Sequence, residues 1–547
     1  GLVNLAEQIS NSLAFYRTSS ECGVRSSELG GRSSECGVRS SEYKKKEKRA
    51  NKEALNSAFR TPHSELKINP LKHSSAIGAA MALQGIEGAL PIIHGAQGCT
   101  FLGKVLLTKH FREPIALAST RLFAEDVVMG SEEKLAKTVE GFVEKNHPAV
   151  IGVLTSGLTE IKGDDVAATV RRLAAAYNAG CEMGNAQVLH IPTPDFEGGL
   201  ETGYARAVET VIMSAQFGVL SSECGVRSAE CGDLHPRLRE EPRVSHPMSS
   251  SAYAREWGVQ GVRSSEWKNT HANDSLCELK SINILAGPHL TPADCTEVRE
   301  MVEDFGLNAV ILPDLSSLDG SRKGMSPLAS GGTTREELAR MGASCHTLAL
   351  GITMGPAAKL LKQRTGVEYE VIEGLAGLAA ADRLMGVLSA ISCKPVPGKY
   401  ERQRRILVDG MRDDHAFYGN KRICIALESD LAVQTSKWLA EMGVRVELAV
   451  IPGLTEAAGR IQARDVTIGD LFSIHGEFDL LIANSHGEST AKRLGVPLHE
   501  IGFPVYKSFG YTSKVTIGYR GTLATIHEVA NLLIKRHTLK HILEDPK

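Results

Sequence analysis

The stretch with the clearest potential for chemistry runs from Pro91 to Thr100 and contains one cysteine, Cys99. The apolar run Ala89–Ile93 predicts a short buried strand, and residues Thr100–Phe111 predict a helix. Gly98 is expected to let the backbone turn sharply between them. Cys99 would then lie where parallel α/β sheets hold ligands and where helix N–H groups favour a thiolate. A thiolate there could ligate iron or zinc, although the same cysteine could also be a small buried hydrophobe.

The remaining cysteines offer no complete metal site. There are eleven cysteines in 547 residues, and the amino-terminal residues lack the charged-then-apolar pattern of a signal peptide. A disulfide framework is therefore not expected. No C-x-x-C pair occurs, so a self-contained zinc ribbon or ferredoxin-type site is not indicated. Any cluster at Cys99 is expected to need ligands from elsewhere.

Composition and charge narrow the class of protein. The chain is 42% apolar and 23% charged, with a net charge of −2, which argues against a polybasic nucleic-acid binder. No apolar run reaches the roughly 18 residues that span a bilayer. We therefore expect a cytoplasmic protein that binds neither nucleic acid nor membranes.

Two tracts of the chain are not expected to form domains. From Ser19 a seven-residue unit of Ser, Glu, Gly and Arg repeats, and it returns at 221–227. It lacks the two apolar seam positions of a coiled coil, so we predict a low-complexity, disordered extension over 1–67 and a low-complexity linker over 217–278. The cysteines within these repeats are excluded as ligands: Cys22, Cys36, Cys224 and Cys231.

The rest of the chain alternates short apolar strands with longer amphipathic helices, which predicts doubly wound parallel sheets. We place three such modules at 68–216, 279–398 and 399–547. The fold class is therefore α/β, with three tandem Rossmann-like modules and mainly parallel sheets. No G-x-G-x-x-G or P-loop motif stands at a strand end, so nucleotide binding is not supported. The expected strands are Ala89–Ile93, Ala149–Leu154, Ala186–Ile191, Ile282–Ala286, Ala309–Leu312, His346–Leu350, Arg422–Leu427, Val444–Ile451 and Leu480–Ala483.

A series of short motifs, in this order, resembles the nitrogenase component 1 superfamily over residues 68–547 without the linker. Together the motifs are far more specific than any one of them. They are Asn69–Lys72, His94–Cys99, His110–Pro114, Thr155–Glu160 with Gly163–Asp165, Thr193–Phe196, Pro313–Leu315, Asn484–His486, Gly502–Pro504 and Gly518–Arg520.

The resemblance also implies how the cluster cysteines are distributed. The β subunit of the molybdenum–iron protein carries three cluster cysteines, and here Ser74 and Gly157 occupy the first and third of those positions. Only Cys99 remains. This departure excludes the eight-iron P-cluster and favours the branch of the superfamily that serves as a scaffold for iron–molybdenum cofactor biosynthesis.

That branch implies a set of partners and cofactors. It forms an α2β2 heterotetramer with a NifE-like subunit, and a [4Fe-4S] cluster at each interface takes three cysteines from that subunit and one, Cys99, from this chain. The resemblance implies that the cofactor precursor is held mainly by the partner subunit. It further implies contacts with the nitrogenase reductase (iron protein), with a donor of the precursor and with apo nitrogenase. No catalytic residue and no cofactor-binding residue is assigned to this chain.

Other polar residues have simpler interpretations. His94 is expected to hydrogen-bond within its own turn, and Arg112 and Glu113 are expected to fix a loop or a subunit contact. Ordinary thiols are expected at Cys181, Cys277, Cys295, Cys345, Cys393 and Cys424.

Two other functions fit part of the pattern. One is a subunit of a related reductase, such as light-independent protochlorophyllide reductase, although Gly502–Pro504 and Gly518–Arg520 favour the nitrogenase branch. The other is a small-ligand binding protein built from similar modules, which would need no interface cysteine.

Overall fold

The computed structural model describes residues 69–178, 186–217, 280–321, 324 and 326–544. The predicted extension (1–67) and, apart from Phe217, the predicted linker (217–278) lie outside these residues, as do Cys181 and Cys277. The proposed domain boundaries therefore stay predictions.

The first sheet has four parallel strands in the order β2-β1-β3-β4. The two central strands are buried along their whole length, as expected for a sheet covered on both faces by helices. The elements are α1 (Ser75–Gln84), β1 (Ala89–His94), α2 (Gln97–Phe111), β2 (Ala118–Ser119), α3 (Ala124–Met129), α4 (Glu132–Asn146), β3 (Val150–Thr155), α5 (Gly157–Lys162), α6 (Val166–Asn178), β4 (Gln187–Ile191) and α7 (Leu200–Ser214).

The second sheet repeats this order with four further parallel strands, β6-β5-β7-β8. Thr291 caps its first helix through a hydrogen bond from the Asp294 backbone N–H, and Pro292 occupies the first helical position, which accounts for where the helix starts. The elements are β5 (Ser281–Ala286), α8 (Pro292–Asp304), β6 (Asn308–Leu312), α9 (Arg335–Arg340), β7 (His346–Leu350), α10 (Gly355–Thr365), β8 (Tyr369–Ile372) and α11 (Leu378–Ser392).

The third sheet has five parallel strands in the order β11-β10-β9-β12-β13. A largely exposed helix, α12 (Gly398–Tyr418), leads into it. The other elements are β9 (Arg422–Ala426), α13 (Ser429–Glu441), β10 (Arg445–Ile451), β11 (Asp465–Ile468), β12 (Leu480–Ala483), α14 (Glu488–Leu494), β13 (Leu498–Glu500) and α15 (Gly518–Glu544).

The predicted fold class is confirmed: the chain is α/β, with three parallel sheets in sequence. One continuous cluster of buried side chains includes residues of all three sheets and of the helices between them. The closest helix packing joins α1 to α7, where a Cβ added at Gly203 would lie 1.8 Å from the carbonyl oxygen of Ser75. Within the described residues, no helix combines the length and apolar character needed to cross a membrane.

One local prediction was wrong. Helix α2 begins at Gln97, so Gly98 lies inside its first turn and the chain changes direction earlier, at Gly95. A Cβ at Gly95 would lie 2.8 Å from Ser156 Oγ, which explains why glycine is needed there.

Candidate functional site

Cys99 is the third residue of α2, and its thiol is exposed. Strand β1 ends at His94, and residues 95 and 96 connect it directly to the helix. The capping residue, Ala96, offers no side-chain acceptor to the N–H groups of the first turn. The thiol therefore lies at the amino end of a 15-residue helix, which is the positive end of the helix dipole.

The edge of the first sheet that carries Cys99 also carries several exposed apolar side chains, most of them on helices α2, α3 and α5. Ile161 on α5 is 82% exposed, and Met129 on α3 is 86% exposed. The exposed apolar side chains of this region all lie on segments that follow the carboxyl ends of the strands of the first sheet. We call this set the carboxyl-edge face: Phe101, Leu102, Phe123, Val128, Met129, Leu158, Ile161 and Phe196.

Beneath Cys99, His94 is completely buried. Its ring nitrogens lie 3.1 Å from Thr120 Oγ1 and 2.9 Å from Ser131 Oγ. These partners are 26 and 37 residues away, so the prediction that His94 bonds within its own turn was wrong. Burial lowers the pKa of His94 to about 4, which keeps the imidazole neutral near pH 7.

The resemblance would place two further cluster cysteines at positions 74 and 157. In this chain those positions are Ser74 and Gly157. Ser74 caps α1 and donates a hydrogen bond of 2.7 Å to Asp195 Oδ1. Gly157 opens α5 and has no side chain. Neither position supplies a thiolate.

No group of three or more His, Cys, Asp or Glu side chains suited to a metal ion occurs in the part of the chain that the structure describes. Cys295 and Cys424 are buried, and burial raises the pKa of the Cys424 thiol to about 12. Cys345 and Cys393 are exposed, but both belong to the second module. Within the described residues, Cys99 is therefore not part of a complete metal site.

The opposite end of α2 is attached to the third module. Arg112 donates hydrogen bonds to the carbonyl oxygens of Tyr506 (2.8 Å) and Ser508 (3.3 Å) and lies 4.2 Å from the Phe509 ring centroid. The buried His110 accepts a hydrogen bond from the Val505 N–H. Arg112 thus fixes a loop, as predicted.

Two features of the site could not be recognised from sequence. Ser131 lies outside every recognised motif, and the exposed side chains of α3 and α5 are of types that normally indicate burial. One hint of Ser131 was present in the sequence, because its hydrogen-bond partner Asp164 belongs to the motif Gly163–Asp165.

Comparison with known proteins identifies the family to which this chain belongs. The family model for nitrogenase component 1 type oxidoreductases matches residues 74–534. The chain belongs to the nitrogenase component 1 type oxidoreductase family.

Within that family, the chain is similar to proteins named nitrogenase iron-molybdenum cofactor biosynthesis protein NifN. It is 34% identical to the one from Rippkaea orientalis, with 86% of this chain and 95% of that protein covered. The Bradyrhizobium diazoefficiens protein is 35% identical, with 86% and 91% covered. The Klebsiella pneumoniae protein is 30% identical, with 88% and 93% covered.

Solved structures show the same fold. A chain of "Nitrogenase Cp1 at pH 6.5" superposes with a TM-score of 0.70 at 25% identity, covering 86% of this chain and 94% of that one. A chain of "Nitrogenase Cp1 at pH 5" gives a TM-score of 0.56 at 14% identity.

Proposed function

We propose that this chain is a scaffold subunit for biosynthesis of the nitrogenase iron–molybdenum cofactor. It pairs with a NifE-like subunit to hold and mature the cofactor precursor, and it supplies Cys99 as one ligand of an interface [4Fe-4S] cluster. The observation that carries the proposal is an exposed thiol at a sheet edge that also carries many exposed apolar side chains. The names of the similar proteins favour this function over a protochlorophyllide reductase subunit.

The carboxyl-edge face is the surface that the NifE-like subunit would cover. Large exposed apolar patches are rare on monomeric proteins and mark interaction sites. The face combines aromatic, aliphatic and methionine side chains, a composition typical of interface cores. Two such pairs would make up the α2β2 heterotetramer.

The ligand count supports a shared cluster. A [4Fe-4S] cluster takes four ligands, commonly cysteine thiolates, and Cys99 is the one exposed cysteine on the first module among the described residues. Three further thiolates would come from the NifE-like subunit. When bound, the cluster supplies one-electron transfer, for which the nitrogenase reductase is the expected donor.

The remaining parts of the pathway fall to other proteins. The family resemblance implies that the precursor would be held mainly by the NifE-like subunit, and no cofactor-binding side chain is therefore assigned to this chain. The precursor donor and apo nitrogenase would meet the assembled complex before and after maturation.

Co-expression with an affinity-tagged NifE-like subunit tests the proposal. The two chains should co-purify as a heterotetramer that contains iron and gives the electron paramagnetic resonance signal of a reduced [4Fe-4S] centre. Isolation of this chain as a stable, colourless monomer in the presence of the partner would contradict the proposal.

A further inference from the structure

His94 is buried, and its ring can form both of its hydrogen bonds with only one arrangement of protons. Ser131 Oγ lies 2.5 Å from Asp164 Oδ2. Because that carboxylate pairs with Lys162 Nζ at 2.8 Å, it acts as an acceptor, and the single Ser131 hydroxyl proton must point to it. His94 Nε2 must then carry a hydrogen and donate to Ser131 Oγ.

The other side of the ring follows from the same reasoning. A neutral imidazole with a proton on Nε2 has an acceptor at Nδ1, so the Thr120 hydroxyl donates to His94 Nδ1. Thr120 Oγ1 in turn accepts the backbone N–H of Gly95 at 3.1 Å. The bonds run in one direction, from the Gly95 N–H to the Asp164 carboxylate, and every buried member has a partner.

These members come from four different segments at the carboxyl edge of the first sheet. His94 and Gly95 precede α2 and Cys99. Thr120 lies between β2 and α3, Ser131 lies between α3 and α4, and Asp164 lies between α5 and α6. Thus α2, α3 and α5, the helices that carry most of the carboxyl-edge face, all adjoin one buried chain of hydrogen bonds.

Lys162 extends the connection to α3. Its ammonium group lies 3.2 Å from the carbonyl oxygen of Asp126 as well as 2.8 Å from Asp164 Oδ1. Asp126 also pairs with Lys134 at 2.5 Å. Helix α3 has only six residues, none of them buried, so these polar contacts contribute much of what holds it in place.

We propose that His94 is a positioning residue that, through Thr120, Ser131 and Asp164, holds the Cys99 loop in register with the partner-facing helices α3 and α5. The inference rests on the proposed function, because it assigns His94 a role toward the cluster ligand. His94 does not contact Cys99. It acts by fixing the backbone at Gly95, four residues before the thiol.

Three substitutions separate the two contacts of the ring. His94→Gln places an amide nitrogen near the Nε2 position and keeps the bond to Ser131. His94→Asn places an amide oxygen near the Nδ1 position and keeps the bond from Thr120, whereas His94→Ala keeps neither. The matched control is His499→Ala, which removes another buried histidine from the third module.

The first measurement is amide hydrogen exchange on the complex after iron is removed. For His94→Ala, residues 95–100 should exchange about tenfold faster, since the loss of both ring hydrogen bonds leaves Thr120, the acceptor of the Gly95 N–H, without its own anchor. Exchange of β4 and α7 should not change. His94→Asn should restore most of the protection, because it retains the Thr120 contact that reaches Gly95.

The second measurement uses the iron-loaded complex. His94→Ala should lose iron to a chelator about tenfold faster and shift the resonance lines of the reduced cluster, while His499→Ala should match the wild type. If exchange at 95–100, iron loss and spectrum are all unchanged in His94→Ala, the proposal is wrong. Faster exchange spread equally over β4 and α7 would also overturn it, since His94 would then be a general packing residue.

The two measurements test this inference separately from the proposed function. A wild-type complex that never contains iron would contradict the proposed function, but the exchange arm would still decide whether His94 positions the loop. If His94→Ala does not fold, the comparison of His94→Asn with His94→Gln decides: equal exchange at 95–100 in both variants would overturn the assignment.

Discussion

The first and second sheets share the same strand order, β2-β1-β3-β4 and β6-β5-β7-β8, but their carboxyl edges differ. In doubly wound sheets this edge is where ligands bind. The edge of the second sheet is covered by the chain itself, whereas the edge of the first sheet carries an exposed thiol and exposed apolar side chains.

The covering element of the second sheet is the amino end of α13, from the third module. Asp430 accepts hydrogen bonds from the backbone N–H groups of Ile352 and Thr353, which follow β7. Glu201 of α7 accepts bonds from the N–H groups of Ser429 and Asp430. The crevice is thus filled by carboxylates that connect all three modules.

The difference between the two carboxyl edges shows that the architecture of a sheet does not by itself determine its function. Both edges derive from the same βαβ arrangement, so strand order alone does not locate a functional site. What distinguishes them is whether the chain supplies its own covering. The covered edge connects the modules, and the open edge is where we propose that a second subunit and a shared cluster bind.

The largest expected effect is at the covered edge. Asp430→Ala would leave two buried N–H groups and the Thr353 hydroxyl without an acceptor, so the free energy of unfolding should fall by about 3 kcal/mol. Denaturant titration followed by circular dichroism measures this. Asp430→Asn retains one acceptor oxygen and should lose less. A loss below about 1 kcal/mol for the alanine variant would show that the junction is not a major stabilising contact.

A charge on the open edge should act on assembly and not on folding. Ile161→Asp would place a carboxylate within the proposed subunit interface, and association with the NifE-like subunit should weaken by about 2 kcal/mol, roughly thirtyfold. Co-purification yield and a binding titration measure this. Leu454→Asp, at a 79% exposed residue of the third module, is the matched control. Equal weakening in both variants, or in neither, would break the assignment of the interface.

The two edges should also differ in pH dependence. Burial and the neighbouring Asp430 raise the pKa of Glu201 to about 8. The folded protein therefore keeps a proton that the unfolded chain releases near pH 4.5, and stability should fall as pH rises toward 8, by about 1.4 kcal/mol per pH unit for one proton. Burial lowers the pKa of His94 to about 4 and that of His110, at the other end of α2, to about 3, so their contributions to stability are lost as pH falls from 6.5 through these values.

Unfolding measured across pH should therefore show maximal stability near pH 6.5, between these two effects. Glu201→Gln should flatten the decline above pH 6.5 and steepen the rise between about pH 4.5 and 6.5, where the unfolded wild-type chain has already released the Glu201 proton. A wild-type profile that rises steadily from pH 6.5 to 8 would mean that Glu201 is ionised in the folded state, contrary to the account of the covered edge.

The strands and Cys99 were accessible from sequence because their signals are local. The predicted strand Leu480–Ala483 coincides with β12, and the cysteine lies at the amino end of the helix that follows β1. The start of α2 was misplaced because Gly98 lowers helix propensity, although the helix begins before it.

Contacts between residues that are far apart in sequence could not be predicted from local patterns. Glu201 and Asp430 are 229 residues apart in sequence, and nothing near either residue indicates the other. An apolar residue such as Ile161 is ordinarily expected in the core, so its exposure became visible only once the helix was placed at the sheet edge. The covered edge and the face of the open edge therefore needed three-dimensional information.

The most direct test of the central claim is the iron content and the reduced-state resonance spectrum of the Cys99→Ala complex. Cys393→Ala, at an exposed cysteine of the second module, serves as the control. The account predicts that the Cys99 variant still pairs with the NifE-like subunit but loses its cluster iron and the [4Fe-4S] signal, while the control keeps both. Full iron and a wild-type spectrum in Cys99→Ala would show that Cys99 is not a cluster ligand.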